Sequence, residues 1–340
     1  MAKYNKIYVV APYNHATGGV ELSHQLVDYL RNKNENAYIV YVDKYFSIVK
    51  GDSNVTPAYV QYNIEIASDV EDAETNILVL PEIYFELIFS YSKIKLGCWW
   101  MSVDGRYKHI VFHELIKHRE SFYGKMRVCF SHFLLGWYRE RNSTKLLMDN
   151  DYRIIHFYQS YYAYKHISNL GFTHKLPLSD YININFINDI ETPKEDIILY
   201  NPSKGYAFTK KIIKRMRNYE FVPLKGLTRG QLADLMGRAK LYIDFGEFPG
   251  KDRLPREAVM NGCCIITGRK GASAYYEDVP LSDDYKFIAR NENLPQIVNR
   301  IKQVLNNYSN CKSDFDSYRS KVSEEQDVFY NEIDNAFINN

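Results

Sequence analysis

One segment of this 340-residue chain reads Asp244-Phe-Gly-Glu-Phe-Pro-Gly-Lys-Asp-Arg-Leu-Pro-Arg-Glu-Ala-Val-Met-Asn-Gly-Cys-Cys-Ile-Ile-Thr-Gly268. An apolar run at 240–244 predicts a short buried strand, the pattern at 255–261 predicts a helix that ends at Gly262, and 263–267 predicts the next strand. The charged residues of this βαβ unit therefore cluster where a strand ends and a helix begins. Sheets of α/β proteins bind their ligands at that place.

The same alternation of strand and helix runs through the rest of the chain. A helical pattern over 19–32 separates the first two apolar runs, and a polar stretch at 178–195 interrupts the alternation before it starts again. Apolar strands separated by helices predict a parallel sheet that is covered on both faces. Outside the opening segment, strands are predicted at 6–11, 37–42, 76–80, 97–102, 153–158, 196–200 and 221–224, and further helices at 207–218, 229–238 and 294–308.

The polar interruption predicts two domains. At 340 residues the chain is long for one hydrophobic core and sufficient for two. We predict an α/β protein with two Rossmann-like domains facing each other across a cleft. The predicted order is an N-terminal domain at 1–180, a linker at 181–195, a C-terminal domain at 196–310 and a charged helical tail at 311–340, for which packing back on the N-terminal domain is one arrangement.

Composition argues against several classes of protein. The formal net charge of +2 is not that of a general nucleic-acid binder, so we expect no nucleic-acid partner. Five cysteines without a Cys-x-x-Cys pair argue against a disulfide framework and a zinc site. The N-terminus is too polar for a signal peptide, and no apolar run approaches about 20 residues. We therefore expect a cytoplasmic protein, or one peripheral at the inner face of the cell membrane.

Two adjacent glycines follow the first predicted strand. Gly18 and Gly19 remove Cβ atoms where a ligand could approach the backbone, and the helix start beyond them offers free amides to an anion. The loop matches neither the dinucleotide pattern Gly-x-Gly-x-x-Gly nor a Walker A loop. A tight turn between strand and helix explains the two glycines equally well.

A cation and a glycine open the first helix of the second domain. Lys204 and Gly205 follow the strand predicted at 196–200. A lysine beside free helix amides suits a diphosphate. The alternative is a solvated lysine at an ordinary helix start.

The opening segment adds more charge at a second helix start. Glu257 would lie near the beginning of its helix, where its two oxygens could accept hydrogen bonds from a pair of sugar hydroxyls. Lys251, Arg253 and Arg256 place cations beside it, with Asp252 among them. The alternative is a surface cluster of salt bridges, which is common in proteins.

Together, these three loops resemble those of the retaining GT-B glycosyltransferases, glycosyltransferase family 4 in particular. The motifs that carry the resemblance are Gly18-Gly-Val-Glu21, Lys204-Gly205 and Leu254-Pro-Arg-Glu-Ala-Val-Met-Asn-Gly262, in that order, and they extend over most of the chain. The resemblance implies that Gly18 and Gly19 face the phosphates and the transferred sugar of the donor. It also implies that Lys204 neutralises the diphosphate and that Glu257 holds the ribose.

The sequence departs from the family pattern in two places. Pro249 stands where the family has a second glutamate, eight residues before the last one. The segment before Lys204 lacks the arginine of the family, and Arg253 or Lys251 could replace its charge. The chain therefore resembles a divergent branch, and both retention and inversion at the sugar stay open.

Three residues of the first domain are candidates for acid–base chemistry. Asp104 and Glu82 each follow a predicted strand, which would place them at the rim of the cleft. An inverting transferase needs a carboxylate or a histidine to deprotonate the acceptor hydroxyl. His15 lies in the Gly-Gly loop, within reach of a sugar or a phosphate. A turn aspartate before Gly105 and a solvated loop histidine are the alternatives.

Basic and aromatic residues are interleaved over 106–145. Nine lysines and arginines oppose three glutamates there, which suits an anionic membrane surface or a phosphorylated acceptor. Helices with a solvated basic face explain the pattern equally well. Nearby, Asp149-Asn-Asp151 matches the Asp-x-Asp pattern of metal-dependent transferases, but we interpret it as a polar turn and predict no metal site.

The resemblance implies a glycosyltransferase that moves a sugar from a nucleotide diphosphate sugar to a saccharide or lipid-linked saccharide. The expected setting is bacterial surface polysaccharide or lipopolysaccharide synthesis. The C-terminal domain would bind the donor and the N-terminal domain the acceptor, without a cofactor, and the nucleotide could be UDP or GDP. Two alternatives stay open: a GT-B sugar-nucleotide epimerase, and a non-catalytic GT-B-like partner subunit.

Overall fold

The computed structural model of the protein describes residues 3–43, 47–50, 55–107, 122–123, 126, 144–145, 147–183 and 193–339. The chain divides into two compact units, and each is described by itself. The first unit comprises Met1–Gln159, Ala163–Ser179 and Phe329–Asn340, and the second comprises Ser160–Tyr162 and Asp180–Val328.

A six-stranded parallel sheet forms the centre of the first unit, in the order β2-β1-β3-β4-β5-β6. Its strands are β1 (Ile7–Pro12), β2 (Ala37–Val42), β3 (Ile77–Pro81), β4 (Lys95–Trp100), β5 (Ile154–Tyr158) and β6 (Lys175–Pro177). Helix α1 (Gly18–Asn32) joins β1 to β2, and helix α2 (Tyr161–Asn169) joins β5 to β6. Shorter helical turns lie at Pro57–Tyr59, Glu82–Ser90 and Asp151–Arg153.

The second unit contains a five-stranded parallel sheet in the order β11-β10-β9-β7-β8. Its strands are β7 (Glu195–Tyr200), β8 (Glu220–Pro223), β9 (Ala239–Asp244), β10 (Cys264–Gly268) and β11 (Lys286–Phe287). The helices are α3 (Tyr206–Arg215), α4 (Arg229–Arg238), α5 (Arg253–Met260), α6 (Leu294–Asn306), α7 (Tyr308–Lys312), α8 (Asp316–Ser323) and α9 (Glu325–Ile333), the last of which continues into the first unit. Short turns lie at Ala272–Ala274, Asp283–Tyr285, Asn291–Asn293 and Ser313–Phe315, and a π-helical turn at Asp334–Ile338 ends the described chain.

The central strands of both sheets are buried over most of their length. In β9, Leu241, Tyr242 and Ile243 are completely buried, although their side chains alternate between the two faces of the sheet. Both faces must therefore be covered, as the continuous apolar runs predict. The predicted α/β class with parallel sheets is confirmed.

Most predicted elements match the structure to within one or two residues. The strand at 37–42 and the helix at 229–238 are correct at both ends. The helix predicted at 255–261 begins two residues earlier, at Arg253, which places Glu257 in its second turn. Strands β6 and β11 were not predicted, because strands of three and two residues are too short to show a period.

Each sheet has one point where the chain reverses its direction of winding. In the first sheet β1 lies between β2 and β3, so the chain winds from β1 towards β2 and later resumes at β3 on the other side. In the second sheet β7 lies between β8 and β9 in the same way. Ligands of α/β proteins bind at such switch points, beyond the carboxyl ends of the strands. The loops after β1, β3, β7 and β9 are therefore the places to look for a site.

Candidate functional site

The loops after β7 and β9 touch each other through two glycines. Gly205 precedes α3 with φ +67°, in the left-handed region, and a Cβ there would come within 2.5 Å of the carbonyl carbon of Phe245. A Cβ on Gly246 would lie 2.5 Å from Cγ of Lys204. Only glycine allows the two loops to pass this closely. The contact places Lys204, which was predicted to bind the diphosphate of the sugar donor, against the loop at the start of the quoted segment.

The ammonium group of Lys204 is surrounded by acceptors from that loop. It lies 3.3 Å from Oδ2 of Asp244, forms a short ion pair with Asp252, and donates to the carbonyl oxygen of Glu247 at 3.0 Å. The same group lies 3.9 Å from the ring centroid of Phe248, a cation–π contact. The Lys204 side chain is 24% exposed, so it is fixed in place and still reachable from solvent.

Asp244 is the inner carboxylate of this group and was not predicted as a site residue. Its Oδ1 accepts from the amide of Gly246 at 2.8 Å, and its Oδ2 accepts from the hydroxyl of Tyr242 at 2.8 Å. It is 2% exposed. Its position at the last residue of a buried strand, directly before a glycine-containing loop, is a sequence signal that could have identified it.

Asp252 is the outer carboxylate and precedes the first residue of α5. Burial raises the pKa of its carboxyl group, and the Lys204 ammonium lowers it in part. The net direction is upward, so burial outweighs the attraction.

Arg253 and Glu257 are paired on the surface of α5. Nε of Arg253 lies 3.5 Å from Oε1 of Glu257 one turn further along, and the side chains are 29% and 24% exposed. Glu257 also lines a small pocket in the second unit. The other residues of this pocket are Ile182, Asn183, Arg229, Leu232, Ala233, Met236 and Asn261. An apolar floor beside an accessible carboxylate is compatible with the predicted ribose contact, which stays a prediction.

Lys251 and Arg256 form a buried cluster with two carboxylates. Nη1 and Nη2 of Arg256 donate to the two oxygens of Asp180 at 3.0 and 2.6 Å, and Nη1 also donates to Glu325 at 2.7 Å. Nζ of Lys251 lies 2.9 Å from Glu325 and 3.3 Å from Asp180. Arg256 is 1% exposed. Both cations are thus neutralised inside the second unit, and their role in donor binding stays a prediction.

The pKa shifts in this cluster favour the charged forms. Burial alone would lower the pKa of Arg256, but the neighbouring Asp180 and Glu325 raise it above its ordinary value. Burial would raise the pKa of Asp180, but Arg256 and Lys251 lower it. The charged forms of Arg256 and Asp180 therefore stabilise each other, which is how buried charges are tolerated.

In the first unit, the predicted Gly-Gly loop leads directly into α1. The helix begins at Gly18, and the preceding Thr17 gives it no side-chain cap within the described part of the chain. A Cβ on Gly19 would lie 3.4 Å from Sδ of Met101, which follows β4. His15 lies in the same loop and is exposed.

Glu82 follows β3 and is 5% exposed. Its Oε2 accepts from the amide of Met101 at 3.0 Å. Burial raises the pKa of Glu82 to about 7, against the opposing effect of the backbone amides that it accepts from. The structure thus brings Glu82, Met101 and Gly19 together at the switch point of the first sheet. Asp104 lies just beyond them, half-buried, in the helical residues 103–107.

Two other sequence predictions concern regions away from these loops. Of the basic segment 106–145, only 106–107, 122–123, 126 and 144–145 lie within the described residues, so its membrane role stays a prediction. Among the helices that the structure describes, none is long and apolar enough to cross a membrane.

Asp151, the last residue of the Asp-x-Asp match, contacts two neighbouring residues. Its Oδ2 accepts from the amide and the hydroxyl of Thr173 at 3.0 and 2.7 Å, and its Oδ1 lies 3.2 Å from Nε2 of His156. These are the contacts of a residue that stabilises a turn.

Comparison with known proteins gives structural matches only. No protein-family model matches the sequence, and no curated protein matches it either. Sucrose-phosphate synthase of Thermosynechococcus elongatus aligns over 97% of this chain and 98% of its own, with a TM-score of 0.64 and 9% identity. HepE of Anabaena, solved in complex with UDP-glucose, aligns over 97% and 98%, with a TM-score of 0.60 and 9% identity.

A third match is the lipopolysaccharide outer core galactosyltransferase WaaB, over 97% of this chain and 98% of its own, with a TM-score of 0.57 and 10% identity. These alignments extend over nearly the whole of each chain and include both units. The fold is GT-B. The predicted fold class, with two Rossmann-like domains, is therefore confirmed, whereas membership of family 4 stays a prediction at this level of identity.

Proposed function

We propose that the protein is a GT-B glycosyltransferase that transfers a sugar from a nucleotide diphosphate sugar to a saccharide or lipid-linked saccharide acceptor. The observation that carries the proposal is the position of Lys204, a partly exposed cation at the switch point of the second sheet and beside the start of α3. The similarity in fold to HepE, which binds UDP-glucose, and to the galactosyltransferase WaaB supports the same class of reaction.

The chemistry of such a transfer requires stabilisation of the diphosphate as it leaves the sugar. Negative charge then accumulates on the phosphate oxygens, and a fixed cation together with helix amides stabilises it most when both are positioned in advance. Lys204 meets this requirement because its stem rests on Gly246 and its ammonium is held in the loop after β9. The diphosphate would replace Asp252 as the partner of Lys204.

The other predicted contacts complete the proposal. Glu257 would accept hydrogen bonds from the ribose hydroxyls, and the Gly18-Gly19 backbone would face the transferred sugar. Glu82 or Asp104 would accept the proton of the acceptor hydroxyl if the reaction inverts the sugar. A surface polysaccharide or lipopolysaccharide intermediate is the acceptor class that we propose, and the basic segment 106–145 would bring the enzyme to a membrane that carries a lipid-linked form.

A ligand panel tests the proposal directly. Thermal shift is measured with UDP, GDP, UDP-glucose, UDP-galactose and GDP-mannose, and the donor that binds is then incubated with and without saccharide acceptors. A glycosyltransferase should bind a nucleotide sugar and release nucleotide faster when an acceptor is present. An epimerase would convert the donor without any acceptor, and a non-catalytic subunit would bind none of the five. Either of these last two results would contradict the proposal.

A further inference from the structure

The hydroxyl of Tyr59 holds both backbone polar groups of a single residue. It accepts from the amide of Thr17 at 3.0 Å and donates to the carbonyl oxygen of Thr17 at 3.1 Å. The same carbonyl accepts the amide of Glu21 at 3.0 Å, the first backbone hydrogen bond of α1. Thr17 directly precedes Gly18 and Gly19, so one side chain from 42 positions along the chain fixes the entry to the Gly-Gly loop.

Tyr59 is itself held in a rigid environment. It is 2% exposed, and its ring lies against the imidazole of His24 with 4.3 Å between ring centroids. His24 belongs to α1, and its Nδ1 donates to the carbonyl oxygen of Val20 at 2.7 Å while its Nε2 accepts from the hydroxyl of Tyr41 at 2.8 Å. Burial lowers the pKa of His24 to about 4, which keeps the imidazole neutral in this arrangement. The Tyr59 ring is therefore packed on the same helix that its hydroxyl helps to begin.

The loop around Thr17 combines an exposed tip with a fixed base. Its tip, residues 14–16, is exposed, and Asn14 adopts a positive φ of 56°. On the other side of the base, Met101 packs near Gly19, and the amide of Met101 is held by Glu82. The backbone before Gly18 is thus held by Tyr59, and Met101 leaves little room for a side chain at Gly19.

We propose that Tyr59 is a positioning residue for the donor sugar, and this inference rests on the proposed function. Its hydroxyl sets the backbone of residues 17–19 before the donor arrives, so that binding does not include the cost of ordering the loop. A phenylalanine would keep the ring contact with His24 and lose the bonds to Thr17. The hydroxyl, rather than the ring, is therefore the group that carries the role.

The test compares Tyr59→Phe with Tyr62→Phe. The hydroxyl of Tyr62 donates to Oε1 of Glu21 at 3.1 Å, so the control removes a hydroxyl that bonds to α1 but not to Thr17. Two quantities are measured for each variant. One is the hydrogen exchange rate of the amides of Thr17 and Glu21, which donate to the Tyr59 hydroxyl and to the Thr17 carbonyl oxygen. The other is the affinity for UDP-glucose and GDP-mannose, with UDP and GDP as probes that lack the sugar.

In Tyr59→Phe we expect faster exchange at Thr17 and Glu21 and about fivefold weaker binding of the nucleotide sugar that the wild type binds, with a smaller change for the free nucleotide. Tyr62→Phe should leave exchange at these residues and both affinities within about twofold of wild type. Unchanged exchange, or faster exchange with unchanged sugar-nucleotide affinity, would overturn the positioning role alone. If the wild type binds no nucleotide of the panel, the proposed function fails and the positioning role fails with it.

Discussion

The guanidinium of Arg256 meets the carboxylate of Asp180 at two points, with Nη1–Oδ1 at 3.0 Å and Nη2–Oδ2 at 2.6 Å. This pair joins the helix that carries Glu257 to the polar stretch at 178–195, just before the predicted linker at 181–195. Both side chains are almost completely buried, and Lys251 and Glu325 complete the cluster. Because the charges balance, removal of one partner would leave an uncompensated charge in the interior.

Asp180→Asn should therefore lower the free energy of unfolding by about 3 kcal/mol, which is typical when one partner of a buried ion pair is removed. The matched control is Asp196→Asn. Asp196 pairs with Lys240 at 2.5 Å, but its side chain is 63% exposed, so the loss should be below about 1 kcal/mol. Urea unfolding of both variants measures the difference, and equal losses would contradict a structural role for the buried pair.

The effect of Asp180→Asn should also depend on pH. The pKa of Asp180 in the folded protein is lowered by Arg256 and Lys251 below its ordinary value of about 4, although burial opposes the shift. A carboxyl group with a lowered pKa stabilises the fold above the unfolded pKa, and this contribution is lost as the pH falls through the folded pKa. The difference in the free energy of unfolding between wild type and variant should be largest at pH 7 and should decrease below about pH 4. If this difference stays constant below about pH 4, the lowered pKa of Asp180 is contradicted.

Gly205→Ala should be far more damaging than Gly226→Ala. Both glycines have a positive φ, +67° and +70°, so both substitutions strain the backbone by about 1 kcal/mol. A Cβ at Gly226 meets nothing within 4 Å, whereas a Cβ at Gly205 collides with the backbone of Phe245 and Gly246. We expect Gly205→Ala to cost more than about 3 kcal/mol, or to displace Lys204 and abolish nucleotide binding. Similar unfolding curves and similar binding for both variants would show that the two loops are not in contact.

Several features of the fold could be predicted because they depend on local sequence. The run 37–42 is apolar throughout, and the helix at 229–238 lies between a threonine and the next strand, so both were correct at their ends. In the structure Thr228 caps that helix in a capping box with Gln231. Gly205 and Gly262 were predicted to flank the ends of helices, and both adopt a positive φ.

The partners of the charged residues could not be predicted in the same way. Asp180 lies 76 positions and Glu325 lies 69 positions from Arg256, and nothing in their immediate neighbours distinguishes them from solvated residues. Lys204 and the cations of the quoted segment were assigned to one site, yet Lys204 pairs with Asp244 and Asp252, whereas Arg256 is buried in a separate cluster. Only tertiary contacts decide between these environments.

Lys204→Met should weaken binding of a nucleoside diphosphate by a factor of ten or more and that of the monophosphate much less. The reason is that a charge-assisted hydrogen bond to phosphate contributes about 1.5–3 kcal/mol. The control is Lys211→Met, an exposed lysine on α3 that bonds to Asn291 and should leave both affinities unchanged. Calorimetry with UDP, UMP, GDP and GMP makes the comparison. Equal losses for diphosphate and monophosphate would remove Lys204 from the diphosphate site.

Glu257→Gln should weaken binding of the nucleoside diphosphate and of the monophosphate by similar factors, since the proposed contact is to the ribose rather than to the phosphates. The substitution keeps the size of the side chain and leaves one good acceptor oxygen, so a loss of about fivefold is expected. The deoxyribose analogues separate the ribose contact from a general effect. If the variant loses affinity for UDP and dUDP, or for GDP and dGDP, to the same extent, Glu257 does not hold the ribose hydroxyl that the analogues lack.

Glu82 and Asp104 can be separated by their dependence on pH. Burial raises the pKa of Glu82 to about 7, above the value of about 4.3 expected in the unfolded chain. Between these values the folded protein binds more protons than the unfolded one, so wild-type stability should fall as the pH rises from about 4.3 and level off above 7. Glu82→Gln removes this slope, and Asp104→Asn should retain it.

The same pair of variants identifies the proposed base. If Glu82 accepts the acceptor proton, kcat/KM should rise with pH towards a plateau above 7, and Glu82→Gln should lose at least about 100-fold. If Asp104 is the base, Asp104→Asn should show that loss, and Glu82→Gln should keep most of the turnover because glutamine can still accept the amide of Met101 at the position of Oε2. If neither variant loses kcat/KM with the true donor and acceptor, both carboxylates are excluded as the base. That result would favour a mechanism that retains the configuration of the sugar without a protein base.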